Sequence, residues 1–410
     1  MKIKSNYANG KYYLLLLIAA SFVLQPLNIR IGNDLPLSAS LMGIFILLGF
    51  ISIPFSKINK RDYLAAAIVA LCSLILLSHI LLSGQTSRGF IVLSYFVFII
   101  TIFFTDVDLE HLNRVWFAVG ITCFVLILIG MWRFTHGLDA PFSENESGVS
   151  LQIPKYYYLG LSYLPSTRNS DVFYFCMGMV ANLYFIDLYR GRNKVFYFSL
   201  VLFVAAVVLS LSRSAWVAFL VSFFLVYSTP KRLLVFLICA AVLIAFMLFY
   251  WGVDNVIVNL VLGGLLSVFS PDAAHKYLAI AYTYSNVDRG DIYLSALGDI
   301  VRMPFGCGVD YSPSYRFINE VATVHSENTF LDLLMIIGYP AIFFIYYVIL
   351  RPVVDLWQRR HRGSPPVKLV LSAGIFIIVF HLFNSAVDFA FLWFILGLIM
   401  LTSKAILRNG

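Results

Sequence analysis

Three short polar stretches interrupt an otherwise apolar chain, and each carries a residue able to act on a charged or ionisable group. Arg213 stands in Leu211-Ser212-Arg213-Ser214-Ala215-Trp216, wedged between two apolar runs. Arg289 opens the helical pattern of Asp288-Arg289-Gly290-Asp291-Ile292-Tyr293, and His325 leads His325-Ser326-Glu327-Asn328-Thr329-Phe330 into another apolar run. Charge held at a membrane boundary costs free energy, so residues kept there are functional candidates. Two guanidinium groups that stay charged, with one imidazole that titrates near neutrality, suit pyrophosphate binding joined to proton transfer.

Each residue also has a plainer reading. Arg213 could snorkel to lipid headgroups at a tight turn, although its flanking serines suit a hydrogen-bonding pocket better. Arg289 alone could be a solvated loop residue. Its spacing raises it, because Arg289, Tyr293, Ala296 and Ile300 step along one helix face. His325 could simply precede a helix that Ser326 or Asn328 caps, with Glu327 orienting the ring or facing water. Arg168, followed by Asn169 in Ser166-Thr167-Arg168-Asn169-Ser170-Asp171, is a weaker fourth member with an equally good juxtamembrane reading.

These residues need a membrane scaffold to position them. Apolar residues make up 60% of 410 and charged residues 12%, about half the charge of an ordinary soluble domain. Runs close to the roughly 20 residues needed to cross a bilayer as a helix recur throughout. The expected fold is all-α and polytopic, with twelve spans near 12–28, 35–55, 63–83, 89–105, 115–134, 171–189, 195–212, 214–229, 233–252, 328–350, 367–386 and 388–404. No small-residue cleavage site follows the first run, so no cleaved leader is expected. The five cysteines are scattered, four of them inside apolar runs. There is no CxxC or His/Cys cluster, so neither a disulfide framework nor a structural zinc site is expected.

With the N-terminus inside, the cytoplasmic segments hold 19 of the 29 basic residues, as the positive-inside rule requires. The net charge of +8 then reflects topology, not nucleic-acid binding. Both long connections, 135–170 and 253–327, fall outside. The second holds eight acidic residues against four basic ones, so its arginines read as individual binding groups. It carries a helix pattern over Asp288–Val301, with Asp288 as N-cap and Pro304, Gly306 and Gly308 ending it. The chain accordingly divides into N-terminal spans (1–134), a first outer loop (135–170), central spans with the Arg213 turn (171–252), a large outer loop (253–327) and C-terminal spans (328–410).

Taken together, the Ser-Arg-Ser-Ala-Trp turn, the Arg-initiated helix ending in Pro-Phe-Gly-x-Gly, and the His-x-x-Asn-Thr-Phe-Leu-Asp-Leu-Leu…Gly-Tyr-Pro run resemble the O-antigen ligase and polymerase superfamily. The resemblance covers 165–350, and the first five spans share only apolarity with it. It implies a membrane glycosyltransferase of the GT-C type acting on the periplasmic face of the bacterial inner membrane, metal-independent and without a cofactor. Its donor would be an undecaprenyl-pyrophosphate-linked glycan. Its acceptor would be a lipid-linked repeat unit or lipid A-core, and a chain-length regulator is a candidate partner beside the lipid bilayer. Arg213 and Arg289 match the family's pyrophosphate-binding arginines, and His325 its loop histidine. Arg168, Asn169, Tyr293, Glu327 and Asn328 are expected to line the substrate site. Many members carry a second histidine where this chain has Glu327. Polymerase is favoured over ligase because polymerases are the more numerous and divergent branch. A twelve-span transporter is the rival from another class, and it would place ionisable residues such as Asp187, His79 and His381 at mid-membrane depth.

Overall fold

The computed structural model describes residues 2–27, 30–31, 35–52, 60–83, 87–135, 168–190, 192–210, 212–227, 289–309, 328–359 and 364–409. Among them the chain is helical apart from an antiparallel pairing of Arg30–Ile31 with Leu35–Pro36. The helices are α1 (Lys2–Ser21), α2 (Leu37–Ser52), α3 (Lys60–Ser83), α4 (Ser87–Phe103), α5 (Leu109–Thr135), α6 (Arg168–Leu188), α7 (Lys194–Leu209) and α8 (Arg213–Tyr227). After them come α9 (Arg289–Arg302), α10 (Thr329–Ile337), α11 (Pro340–Trp357), α12 (Pro365–His381) and α13 (Ala390–Asn409).

Five of these are long and apolar enough to cross a membrane, namely Lys60–Leu82, Leu109–Trp132, Asp171–Leu188, Pro340–Trp357 and Ala390–Arg408. Six shorter apolar helices accompany them among the described residues. Each of the eleven overlaps one of the expected spans, and 233–252 lies outside the described residues. One expected span is corrected. The run over 328–350 is two helices, α10 and α11, broken at Gly338 (φ +71°). Pro340 then opens α11 at its first turn, where a missing N–H costs nothing.

The chain folds as two compact units, Met1–Ala118 with Val287–Gly410, and Val119–Asn286. In the first, α4 packs on α2, α3 and α13, while α11 packs on α3, α12 and α13. Helix α13 is buried almost all round, as expected for a helix apolar on every face. Its Trp393 sits among Tyr95, Phe96 and Phe344, with ring centroids 5.5–6.0 Å away. Gly397 lets Phe98 approach, since a Cβ there would stand 2.9 Å from that ring. Small residues serve this purpose where apolar helices cross without a hydrophobic drive between them.

In the second unit α6, α7 and α8 pack together. Gly178 faces the Phe203 ring, which a Cβ would meet at 2.2 Å. Asn193 caps α7 by accepting from Val195 N (3.1 Å), and Asn182 Nδ2 donates to Phe196 O (2.7 Å), closing the α6–α7 hairpin.

Candidate active site

The Arg213 turn is built by its neighbours. Helix α7 ends at Ser210, whose hydroxyl donates back to Val207 O (2.6 Å) and whose Oγ accepts from Ser212 N (3.4 Å). Ser212 and Ser214 hydroxyls meet at 3.2 Å. Trp216 Nε1 donates to Val207 O (2.9 Å), tying the start of α8 to the end of α7. The serines and tryptophan of the motif therefore shape the turn that delivers Arg213 as the first residue of α8. The described parts of α6 and α9 run from Arg168 and from Arg289. A helix start gathers unpaired N–H groups and the positive end of the macrodipole, which favours anions. The side chains of Arg168, Asn169, Arg213 and Arg289, together with Asp288, His325 and Glu327 entire, lie outside the described residues.

The expected face of α9 is the face that packs. Ala296 and Ile300 are buried against Met335 of α10, with Tyr293, Cys307, Leu331 and Leu334 around them. Arg289 continues this face by its spacing. The Pro-Phe-Gly-x-Gly turn then clasps the end of α10. Cys307 N donates to Met335 O (2.7 Å), Gly308 N to Ile336 O (3.1 Å) and Tyr339 N to Pro304 O (2.9 Å). Last-turn carbonyls that would otherwise be unpaired are thereby satisfied. Two glycines make the approach possible. Gly306 has φ +80°, and a Cβ on Gly338 would fall 2.0 Å from Pro304 O. Burial, helped by nearby Asp299, pushes the Cys307 thiol up to about 12.

At the other end of α10, Asn328 is the N-cap. Its Oδ1 accepts from Phe330 N (2.9 Å) and Leu331 N (3.2 Å), and its Nδ2 donates to Leu382 O (3.0 Å). Tyr293 OH reaches the same carbonyl at 3.3 Å. Two residues expected to line a substrate site thus converge on the α12–α13 connection. The sequence reading missed that connection. Thr329 Oγ1 donates to Asn384 O (2.7 Å) and lies 3.1 Å from His381 Nδ1, while Ala386 N donates to Thr329 Oγ1 (3.1 Å). Ser385 donates to Asp332. Asn328, Thr329, Asp332, His381 and Asn384 are all buried, so this network holds the start of α10, three residues after His325.

The same end carries an Arg88–Asp388 ion pair (2.8 Å) and a His79 Nε2 contact to Phe305 O (3.0 Å). His381 and Asp187 lie in the last turns of α12 and α6, and His79 lies just before the last turn of α3. A second polar band lies at the opposite end of the first unit. Arg351 pairs with Asp62 (3.3 Å), and Lys404 with Asp106 (3.2 Å). Asp62 and His79 stand 17 residues apart on α3, roughly 26 Å at about 1.5 Å per residue. That nearly equals the hydrocarbon thickness of a bilayer, about 30 Å. Among the described residues, no group of three His, Cys, Asp or Glu side chains could hold a metal ion.

Residues 198–346 match the family model described as O-Antigen ligase. The matched segment is less than half of the chain and contains α8, α9 and α10. It includes Arg213, Arg289, Tyr293, His325, Glu327 and Asn328, whereas Arg168 and Asn169 precede it. The resemblance read from the motifs is borne out for this O-antigen ligase segment. No curated protein matches the chain.

Proposed function

We propose that this protein is a membrane glycosyltransferase that moves a glycan from undecaprenyl pyrophosphate to a sugar hydroxyl, as an O-antigen polymerase. One observation carries the reading. The O-antigen ligase match spans Arg213, Arg289 and His325 in a single segment. The start of α8 at Arg213 adds N–H groups and dipole charge suited to a pyrophosphate.

In this reading Arg213 and Arg289 hold the pyrophosphate with paired N–H donors and stabilise its developing charge as it leaves. His325 takes the proton of the acceptor hydroxyl. The hydroxyl oxygen bonds to the anomeric carbon, the bond from that carbon to the pyrophosphate oxygen breaks, and the configuration inverts. Arginine charge stands where other transferases use a metal. Arg168, Asn169, Tyr293, Glu327 and Asn328 bind the substrate in this reading. The chain crosses the inner membrane twelve times with both termini cytoplasmic and this site periplasmic.

A ligase that hands the finished glycan to lipid A-core is the second reading, favoured by the description of the matching family. Deletion in the native host followed by lipopolysaccharide gel analysis separates them. Core bearing one repeat unit indicates a polymerase. Bare core with accumulated lipid-linked polymer indicates a ligase. An unchanged ladder excludes both.

A further inference from the structure

Helix α9 is apolar over a wider arc than the core it meets. Tyr293, Ala296 and Ile300 turn toward α10, where Ala296 and Ile300 are buried. Leu297 and Val301 each follow one of those buried residues in the chain, which sets them about 100° further round the helix. Both stay exposed, Val301 at 70%. Phe305, just beyond the helix, is 65% exposed. Next round the helix come Gly298 and Arg302, also exposed. Scattered apolar side chains on a surface need no explanation. A row of them beside a packed face marks a contact surface.

The row ends where a membrane-crossing helix ends. His79 Nε2 lies 3.0 Å from Phe305 O, so Phe305 stands near the end of α3. That helix is long and apolar enough to cross a bilayer over Lys60–Leu82. Its Leu81 and Leu82 are also exposed, and leucines left open at the end of a crossing helix face acyl chains. Phe305 is therefore at the depth where the apolar layer meets the headgroups, and Val301 and Leu297 lead away from it along α9. Continuity with the lipid-facing end of α3 favours lipid over a second protein surface as the cover for this row.

We propose that α9 is an interfacial helix, with Leu297, Val301 and Phe305 set into the acyl-chain border of the leaflet at the end of α3. Arg302, on the polar side, reaches the phosphates. An amphipathic helix with a basic polar edge lies in this way, about 5–10 Å into the headgroup boundary. Helix α9 is then held on two sides, by α10 and by lipid. In the transferase reading this keeps the segment that opens with Arg289 at the surface where a lipid-linked pyrophosphate is presented. That consequence rests on the transferase reading. The seat itself rests only on α3 crossing a bilayer, so it stands or falls separately.

The test uses the full chain in vesicles of phosphatidylethanolamine and phosphatidylglycerol. A nitroxide is attached to Leu297→Cys, Val301→Cys or Arg302→Cys, with the unsubstituted chain as background. Power-saturation paramagnetic resonance compares collisions with oxygen, which concentrates among acyl chains, and with a neutral nickel chelate, which stays in water. The ratio of oxygen to chelate collisions should be several-fold higher at Leu297→Cys and Val301→Cys than at Arg302→Cys. All three side chains are exposed, so the thermal midpoint in detergent should not change. Equal ratios at the three positions would show that the row faces water and would overturn the proposal. Labels on Leu297→Cys and Val301→Cys that meet neither reagent would show the row covered by protein, which overturns lipid as its occupant.

Discussion

Arg213 and Arg289 are the residues whose chemistry is least replaceable. A lysine keeps the charge and loses the planar fork that grips two phosphate oxygens. Arg213→Lys and Arg289→Lys are each expected to lose about 10²-fold or more in transfer rate, measured with purified enzyme and a synthetic lipid-linked donor. Arg316→Lys, outside the three motifs, should be tolerated. Near-normal synthesis by both lysine variants would remove the pyrophosphate role. His325→Ala should lower transfer by about 10²–10⁴-fold while donor binding persists. A base acts in its neutral form, so the wild-type rate should fall on acidification. A rate that rises toward acid would point instead to an imidazolium that binds phosphate. Asn328 is a different case, because its amide is already engaged on both sides. Asn328→Asp keeps the capping oxygen and loses the donor to Leu382 O. It should retain most of the stability that Asn328→Ala forfeits, about 1 kcal/mol for a lost N-cap. A variant that loses activity at an unchanged thermal midpoint would assign Asn328 to substrate contact.

The elements around the site depend on backbone fit as much as on side chains. Gly306 and Gly338 hold positive φ where the Pro-Phe-Gly turn meets α10, and a Cβ on either would strike backbone atoms. Gly338→Ala should cost about 1–3 kcal/mol, read as a lowered thermal midpoint with activity lost in parallel. The same docking shields Cys307. A thiol raised to about 12 stays protonated at pH 8, so iodoacetamide should modify it far more slowly than an unstructured cysteine peptide. Fast alkylation would show that the turn opens readily. Parts of this arrangement were legible in the sequence. The spacing of Tyr293, Ala296 and Ile300 gave the packed face of α9, because helix period is written in side-chain types. The break at Gly338 was written in Gly338-Tyr339-Pro340 and was passed over because, Asp332 apart, the residues on both sides stay apolar. The α12–α13 connection was hidden for another reason. It acts largely through the carbonyls of Leu382 and Asn384, and a carbonyl has no signature in the sequence.

For the molecule as a whole, the two polar bands of the first unit make topology testable without reference to chemistry. One band carries Arg88, Asp388, Tyr293 and Asn328, and the other carries Asp62, Arg351, Lys404 and Asp106. If the intervening apolar helices span the bilayer, the bands face opposite compartments, and the basic asymmetry assigns the Arg351 band to the cytoplasm. Phe383, 41% exposed beside the first band, and Gln358, at the end of α11, are suitable reporters. The described native cysteines give little background, since Cys72, Cys123 and Cys176 are buried and Cys307 is partly buried. With the unsubstituted chain as control, Phe383→Cys should react with an impermeant thiol reagent once the outer membrane is permeable. Ser312→Cys should behave the same way if residues 253–327 face outside. Gln358→Cys should react only after the inner membrane is broken. Labelling of Phe383→Cys and Gln358→Cys from the same side would mean that the first unit does not separate its two bands across a bilayer. The reverse pattern would put the candidate site in the cytoplasm, where a periplasmic glycan donor could not reach it.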